Sequence, residues 1–263
     1  AKLQVAQAIT DQAISNINAS VKYSLNSNYQ FQFEYQKLNS LPNLNYSLNQ
    51  SSYIDYNWYK NFKNEKLNQF SFAALTKWVN ASVQYKVLND HLYFDNTTNN
   101  IAKLTVKPMQ YDNTINYLSI NANKEFKFWK FGLDITFLYQ NVDQADPIVN
   151  VPEFTTRNTL YFSDHVFNKA MLLQTGVTFQ YFTEYYGNDY NPLIGEFYVQ
   201  NETKIGNFPM FDFFINARIK QTRIYLKAEH FNAAMTGYNY YSAPNYPYRD
   251  FMIRFGLEWN FFK

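Results

Sequence analysis

The chain has no cysteine in 263 residues, only 3 histidines, 7 glycines and 8 prolines, and no apolar run long enough for a spanning helix. Each shortage removes a class of protein. Without cysteine there is no disulfide framework and no thiolate metal site, which suits a periplasm-facing, oxidising environment where stray thiols are a liability. A formal charge of +2 with no basic run gives nucleic acid nothing to bind. A helix crossing hydrocarbon needs about eighteen or more consecutive apolar residues, so a closed β-barrel is the one remaining way to satisfy the backbone in lipid. The eight prolines all fall in or beside expected loops, where a missing backbone donor does no harm.

What the chain does have is aromatic residues, 24 Tyr and 25 Phe, in a two-residue period. Successive side chains of a strand point to opposite faces. Phe251, Ile253, Phe255, Leu257, Trp259 and Phe261 therefore make one oily stripe, opposed by Arg254, Gly256, Glu258 and Asn260. Tyr29, Phe31, Phe33 and Tyr35 repeat the rule, as do Phe131 to Tyr139 and Phe211 to Ile219. Segments of roughly ten residues with one apolar face are what tilted membrane strands require. Strands are expected near 14–24, 28–38, 51–62, 66–76, 79–92, 113–127, 131–142, 155–163, 170–184, 210–219, 222–231 and 250–262. No reading is made for residues 1–13. The fold class expected is all-β, an antiparallel transmembrane β-barrel of about 12–14 strands, forming one domain over residues 1–263.

Connections alternate between tight ones, such as Phe128-Trp129-Lys130 and Lys220-Gln221, and long polar ones, such as 95–113, 142–152, 185–209 and 232–249. Outer-membrane barrels keep short periplasmic turns and longer extracellular loops, which orients the chain with its last strand descending to the periplasm. In the 185–209 loop, Phe197 and Val199 alternate with Glu196, Tyr198 and Gln200, suggesting a short extra hairpin that folds over or into the mouth, the place to expect a constriction. The sequence opens at Ala1 without a charged, apolar leader, so any export signal is expected to have been removed or to lie outside these residues.

Trp58, Tyr59, Trp78, Trp129 and Trp259 are expected at the lipid interface, where amphipathic rings meet headgroups. Lys86, Asp134, Asp212, Arg218, Lys220, Arg223, Lys227, Glu229, Arg254 and Glu258 fall on the polar register and are the pore-lining candidates. Cross-strand ion pairs that fill the interior and a charged lining that sets solute preference are both compatible with them. Signs are interleaved, so weak net selectivity is expected. His91, His165 and His230 lack metal-motif spacing, and His230 reads as apolar-facing with Thr222, Ile224, Leu226 and Ala228. No serine occupies a nucleophile elbow; the arrangement left open is a distant serine beside His91 or His165, as an outer-membrane lipase would need. No catalytic residue, metal or cofactor is assigned.

Phe167-Asn168-Lys169-Ala170, the run Gly176 to Tyr186, Tyr190-Asn191-Pro192 with Phe197 to Gln200, Ile205 to Pro209, Glu229-His230-Phe231-Asn232, Tyr246-Pro247 and Arg254 to Trp259 together resemble the putative porin family of Bacteroidota outer membranes. Tyr56-Asn57-Trp58 and Leu92 to Asp95 resemble its upstream landmarks. The resemblance implies a Gram-negative outer-membrane barrel without assigned catalytic residues. Family members are generally longer, which implies that residues 1–263 match the C-terminal part of such a barrel. Lys263 departs from the aromatic last residue common in such barrels, the aromatics ending at Phe261 and Phe262. TonB-dependent receptors end in similar strands but carry a plug domain that is absent from this sequence.

The expected function is passive diffusion of small hydrophilic solutes. The alternatives are a structural or docking barrel of a larger secretion, assembly or uptake complex, and a soluble β-sandwich binding module with its aromatics inside. Expected partners are outer-membrane lipid and lipopolysaccharide, the barrel-assembly machinery during insertion, and other outer-membrane proteins or lipoproteins.

Overall fold

Two-residue alternation becomes a two-faced wall once neighbouring strands pair in register. The computed structural model, which describes residues 1–8, 14–26, 28–98, 104–235 and 237–260, contains one twelve-stranded antiparallel sheet. Its strands are β1 (Lys2–Ala8), β2 (Ile14–Asn26), β3 (Tyr29–Ser40), β4 (Glu65–Leu75), β5 (Asn80–Asn89), β6 (Ile115–Phe128), β7 (Phe131–Asp143), β8 (Phe154–Val166), β9 (Met171–Phe182), β10 (Met210–Ile219), β11 (Thr222–Glu229) and β12 (Met252–Trp259). Spatial order follows chain order, so every connection is a hairpin. Five short turns gather at one end and the long loops at the other. Among the described residues no register joins β1 to β12. Residues 261–263, including the expected end of the last stripe, lie outside the described residues.

The expected total of twelve strands is matched through two differences that offset each other. Residues 51–62 are not a sheet strand, and β1 is one that the alternation did not reveal. In the first case short polar side chains bend the chain: Asn57 Oδ1 accepts from Ser51 N at 2.7 Å, and Asn57 Nδ2 donates to Tyr53 O at 2.8 Å. Such local bonds compete with a ladder. In the second, Leu3 and Val5 are the only large apolar groups of a strand otherwise made of Lys, Gln and Ala.

The polarity of the wall decides between membrane barrel and soluble sandwich. Leu160, Leu257 and Phe255, on the oily register, are 55%, 63% and 81% exposed, whereas Thr178 and Asp212, on the polar register, are 4% and 6% exposed. The other sheets are two-stranded ladders in loops, and none covers the oily face. A soluble sandwich requires the opposite arrangement. That alternative is overturned.

Scarce glycine has two consequences. Tight turns use other residues at positive φ, Trp129 at 53° between β6 and β7 and Lys220 at 52° between β10 and β11. Glycines inside strands sit where a tyrosine crosses the wall: Tyr161 pairs with both Gly132 and Gly176, and Tyr225 pairs with Gly256. A Cβ on Gly132 would meet the far end of the Tyr161 ring at 2.2 Å, but one on Gly176 would meet Leu160 O at 2.3 Å. A ring can swing and a paired backbone cannot. Gly176→Val should therefore lower stability by about 1–3 kcal/mol, the range for overpacking, and Gly132→Ala by less. Urea unfolding in lipid vesicles checks the order, which equal midpoints would refute.

Candidate functional site

The polar face of the sheet and the loops above it form the candidate site. Across β10, β11 and β12 the register sets Lys227 beside Arg254, and Asp212 one strand away. Lys227 Nζ lies 3.0 Å from both Asp212 and Glu229, and Glu229 also meets Arg254 Nε at 3.1 Å. Asp212 further accepts from His230 N at 2.9 Å and from Gln180 Nε2 at 3.3 Å. Four of the pore-lining candidates thus form one network near the loop end.

The rest are spread along the same face. Arg223 and Glu258 meet at 3.8 Å near the turn end, with Arg218 opposite Arg223 in register. Asp134 and Glu125 line a cavity of about 270 Å³ with Thr136, Arg157, Thr159 and Tyr161. Lys86 sits with its ammonium 5.3 Å from the Tyr117 ring centre. Lys220 does not belong to this set. It occupies the β10–β11 turn at positive φ, where the strand register no longer applies.

The aromatics also divide. Trp78, Trp129 and Trp259 are exposed at the turn end. At the other end of the oily face, Tyr35, Tyr85 and Tyr181 donate their hydroxyl hydrogens to Asn68, Asn116 and Asn207 at 3.3, 3.2 and 2.7 Å. Trp58 is not at the interface: it is 8% exposed, packs on Phe94 with ring centres 6.2 Å apart, and donates from Nε1 to Asn45 O at 3.2 Å. Tyr59 stands beside it, exposed, in the short ladder with Leu48 and off the sheet. The reason is the missing strand, since a residue of the 41–64 loop has no oily register to occupy.

His230 likewise leaves the oily register. It follows the last residue of β11 at φ 51°, which turns the ring inward to 2% exposure between Tyr240 and Tyr248. Its Nδ1 contacts Arg249 O at 2.9 Å, tying the 230–251 loop to the wall. His91 contacts Glu65 at 3.0 Å and His165 is exposed at the turn end of β8; among the described residues no hydrogen bond joins either to a serine.

Above the wall, three loops share a core that the sequence reading did not assign. Tyr56 and Trp58 from 41–64, Phe94 and Val106 from 90–114, and Tyr198 from 183–209 are all buried together, with Tyr46 stacked on Phe94 at 4.7 Å. Polar contacts lock the same assembly. Asn191 Nδ2 meets Tyr56 Oη at 3.1 Å, Tyr56 donates to Leu104 O at 2.9 Å, Val199 N donates to Phe94 O at 2.8 Å, and Asn45 donates to Glu196. Burial, reinforced by the Asp189 carboxylate that accepts its hydroxyl hydrogen at 3.0 Å, pushes the Tyr198 phenol up, so it stays a donor at any physiological pH. The hairpin Asp189–Asn191 with Glu196–Tyr198 belongs to the β9–β10 loop, yet touches the β3–β4 loop six strands away. At roughly 4.8 Å per strand that contact must cross the concave mouth. The loops are a folded canopy.

The whole chain, residues 1–263, matches the family model described as putative porin. The chain belongs to the putative porin family. It is an antiparallel outer-membrane β-barrel protein, with the short turns periplasmic and the canopy extracellular. Solved structures that share the fold include two outer-membrane proteins of low identity. One, the copper transporter OprC, has a TM-score of 0.62 at 12% identity, over 84% of this chain and 34% of that one. The other, the siderophore receptor PirA from Acinetobacter baumannii, has a TM-score of 0.61 at 9% identity, over 94% of this chain and 41% of that one. The chain thus spans well under half the length of either. No curated protein matches it.

Proposed function

We propose that this porin-family chain lets small hydrophilic solutes diffuse passively through a water-filled lumen, without catalysis or cofactor. The observation that supports it is the continuous polar face, which carries both signs of charge from Arg218, Arg223 and Glu258 at the periplasmic end to Asp212, Lys227, Glu229 and Arg254 near the mouth. About eight strands leave an interior filled by side chains and sixteen to eighteen leave an aqueous channel. We place this sheet in the wider class, as a sector of a larger barrel. Two features favour that: backbone groups left unpaired in hydrocarbon are costly, and the sheet superposes on part of much longer barrel chains. Further strands at the edges of β1 and β12 would complete the ladder.

Purified protein in a planar bilayer should show stepwise conductance. Because the charges alternate, the reversal potential in a salt gradient should stay near zero. A silent bilayer at high protein load would sink diffusion, and a strong cation or anion preference would sink the interleaved lining. The runner-up, a docking barrel for a larger envelope complex, draws on the folded canopy; copurification of a stoichiometric outer-membrane partner with a silent barrel would favour it.

A further inference from the structure

We infer that the outer wall at the extracellular rim of β3 and β4 is a binding site for the phosphorylated headgroup of an outer-leaflet glycolipid. The inference rests on the membrane reading, but concerns the opposite face from the proposed path. On the oily register of β3 the order upward is Phe31, Phe33, Tyr35, Lys37, and on β4 it is Phe72, Phe70, Asn68, Lys66. Each row continues across the wall. Tyr35, Phe70, Tyr85 and Leu118 pair side by side as the last row made wholly of apolar or aromatic residues, and directly above them come Lys37, Asn68, Val87 and Asn116, of which only Val87 is apolar.

The hydroxyls of Tyr35 and Tyr85, which donate to Asn68 and Asn116, mark where hydrocarbon ends, because an amphipathic ring places its polar tip at the headgroups. Lys37 and Lys66 stand at and just above that line, both exposed. They are diagonal neighbours on adjacent strands, which sets their side-chain bases about 7–8 Å apart. Two flexible ammoniums at that spacing can close on one phosphate, and the rigid ladder beneath holds their depth constant.

The acids nearby do not cancel this charge. Asp90, its side chain 12% exposed, is set back behind the lysines, with Lys66 Nζ at 2.8 Å and Lys63 Nζ at 3.9 Å, so one inner carboxylate serves two outer ammoniums. Asp112 lies 3.9 Å from Lys63 and is exposed on the loop side. A cation placed on a lipid-facing register, away from the lumen, has no part in solute passage. At this depth the anion available to it is a lipid phosphate.

The test is native mass spectrometry of the detergent-purified protein reloaded with a phosphorylated outer-leaflet glycolipid or with the same glycolipid dephosphorylated. The wild type should retain the phosphorylated form preferentially. Lys37→Gln with Lys66→Gln should lower that retention about 30-fold, the combined effect of removing two ammonium contacts to an anionic headgroup. Lys37→Gln alone, which leaves the Asp90 cluster intact, should give part of the loss, and Lys169→Gln at a periplasmic turn none. Equal retention of the two lipids by the wild type, or undiminished retention in the double variant, overturns the site. Conductance recorded in parallel keeps the two proposals apart, since loss of lipid retention with normal channels, or the reverse, strikes only one of them.

Discussion

Phe94→Ala is expected to unfasten the canopy and raise single-channel conductance several-fold while leaving the strand content unchanged. Phe94 is the hub of the loop core: Tyr46 stacks on it, Trp58 tilts against it, and Val199 N donates to its carbonyl. Truncating a buried phenylalanine costs about 3–5 kcal/mol. That is large for three loops held together by one small cluster and a few hydrogen bonds. The sheet itself has no share in this core, so the loss should appear as local opening. Faster proteolysis within residues 41–64 and 183–209, with an unchanged unfolding midpoint for the wall, is the structural readout. The conductance follows because the β9–β10 hairpin reaches six strands across the mouth and is anchored there by Tyr56 and Asn191. Unchanged conductance together with rapid loop proteolysis would show that the canopy roofs the mouth without narrowing it.

The wall was legible in the sequence because a period of two survives any error in strand ends. Once Phe131, Leu133, Ile135 and Phe137 are assigned to one face, the register with Phe162, Leu160, Asn158 and Thr156 continues that face onto β8, although the last two are polar. The same logic puts Asp212, Lys227, Glu229 and Arg254 on the other side, where salt bridges link them into one network. It failed where alternation does not carry the fold. The β1 strand has too few large apolar groups to stand out, and the aromatics of 51–62 mimic a strand while serving a loop core.

The canopy was beyond sequence reasoning for a different reason. Its decisive contacts join Asn191 to Tyr56 over a separation of 135 residues and Glu196 to Asn45 over 151. No local pattern specifies such pairs. The alternation of Phe197 and Val199 did point to a hairpin at the mouth, but the partner it would meet could come only from three-dimensional packing. The misplacement of Trp58 is the same gap seen from the other side, since a buried tryptophan and an interfacial one are chemically identical until the neighbours are known.

Asp212→Ala should be the most destabilising single change on the polar face, at about 2–4 kcal/mol, because the Asp212 side chain is 9% exposed and three groups depend on its carboxylate. Removing one partner of a buried charge pair costs about 3–5 kcal/mol. The lower figure reflects Lys227, whose side chain is 35% exposed and keeps Glu229 at 3.0 Å after the change. The second loss is less forgiving, since the backbone N–H of His230 would be buried without its acceptor, at about 1–3 kcal/mol. Asp212→Asn keeps an oxygen for that N–H but turns the oxygen that accepts from Lys227 and Gln180 into an amide donor, so it loses the charge and that acceptor and should fall between alanine and wild type. His230 fastens the 230–251 loop through Arg249 O, and hydrogen exchange in that loop should therefore rise in the alanine variant and stay near normal in the asparagine one. Heat-dependent loss of the folded band in gels measures the stability order. If alanine and asparagine are equally harmful, the charge pair dominates and the His230 contact contributes little; if neither differs from wild type, the network is a bystander and the wall is held by its ladder and its oily face alone.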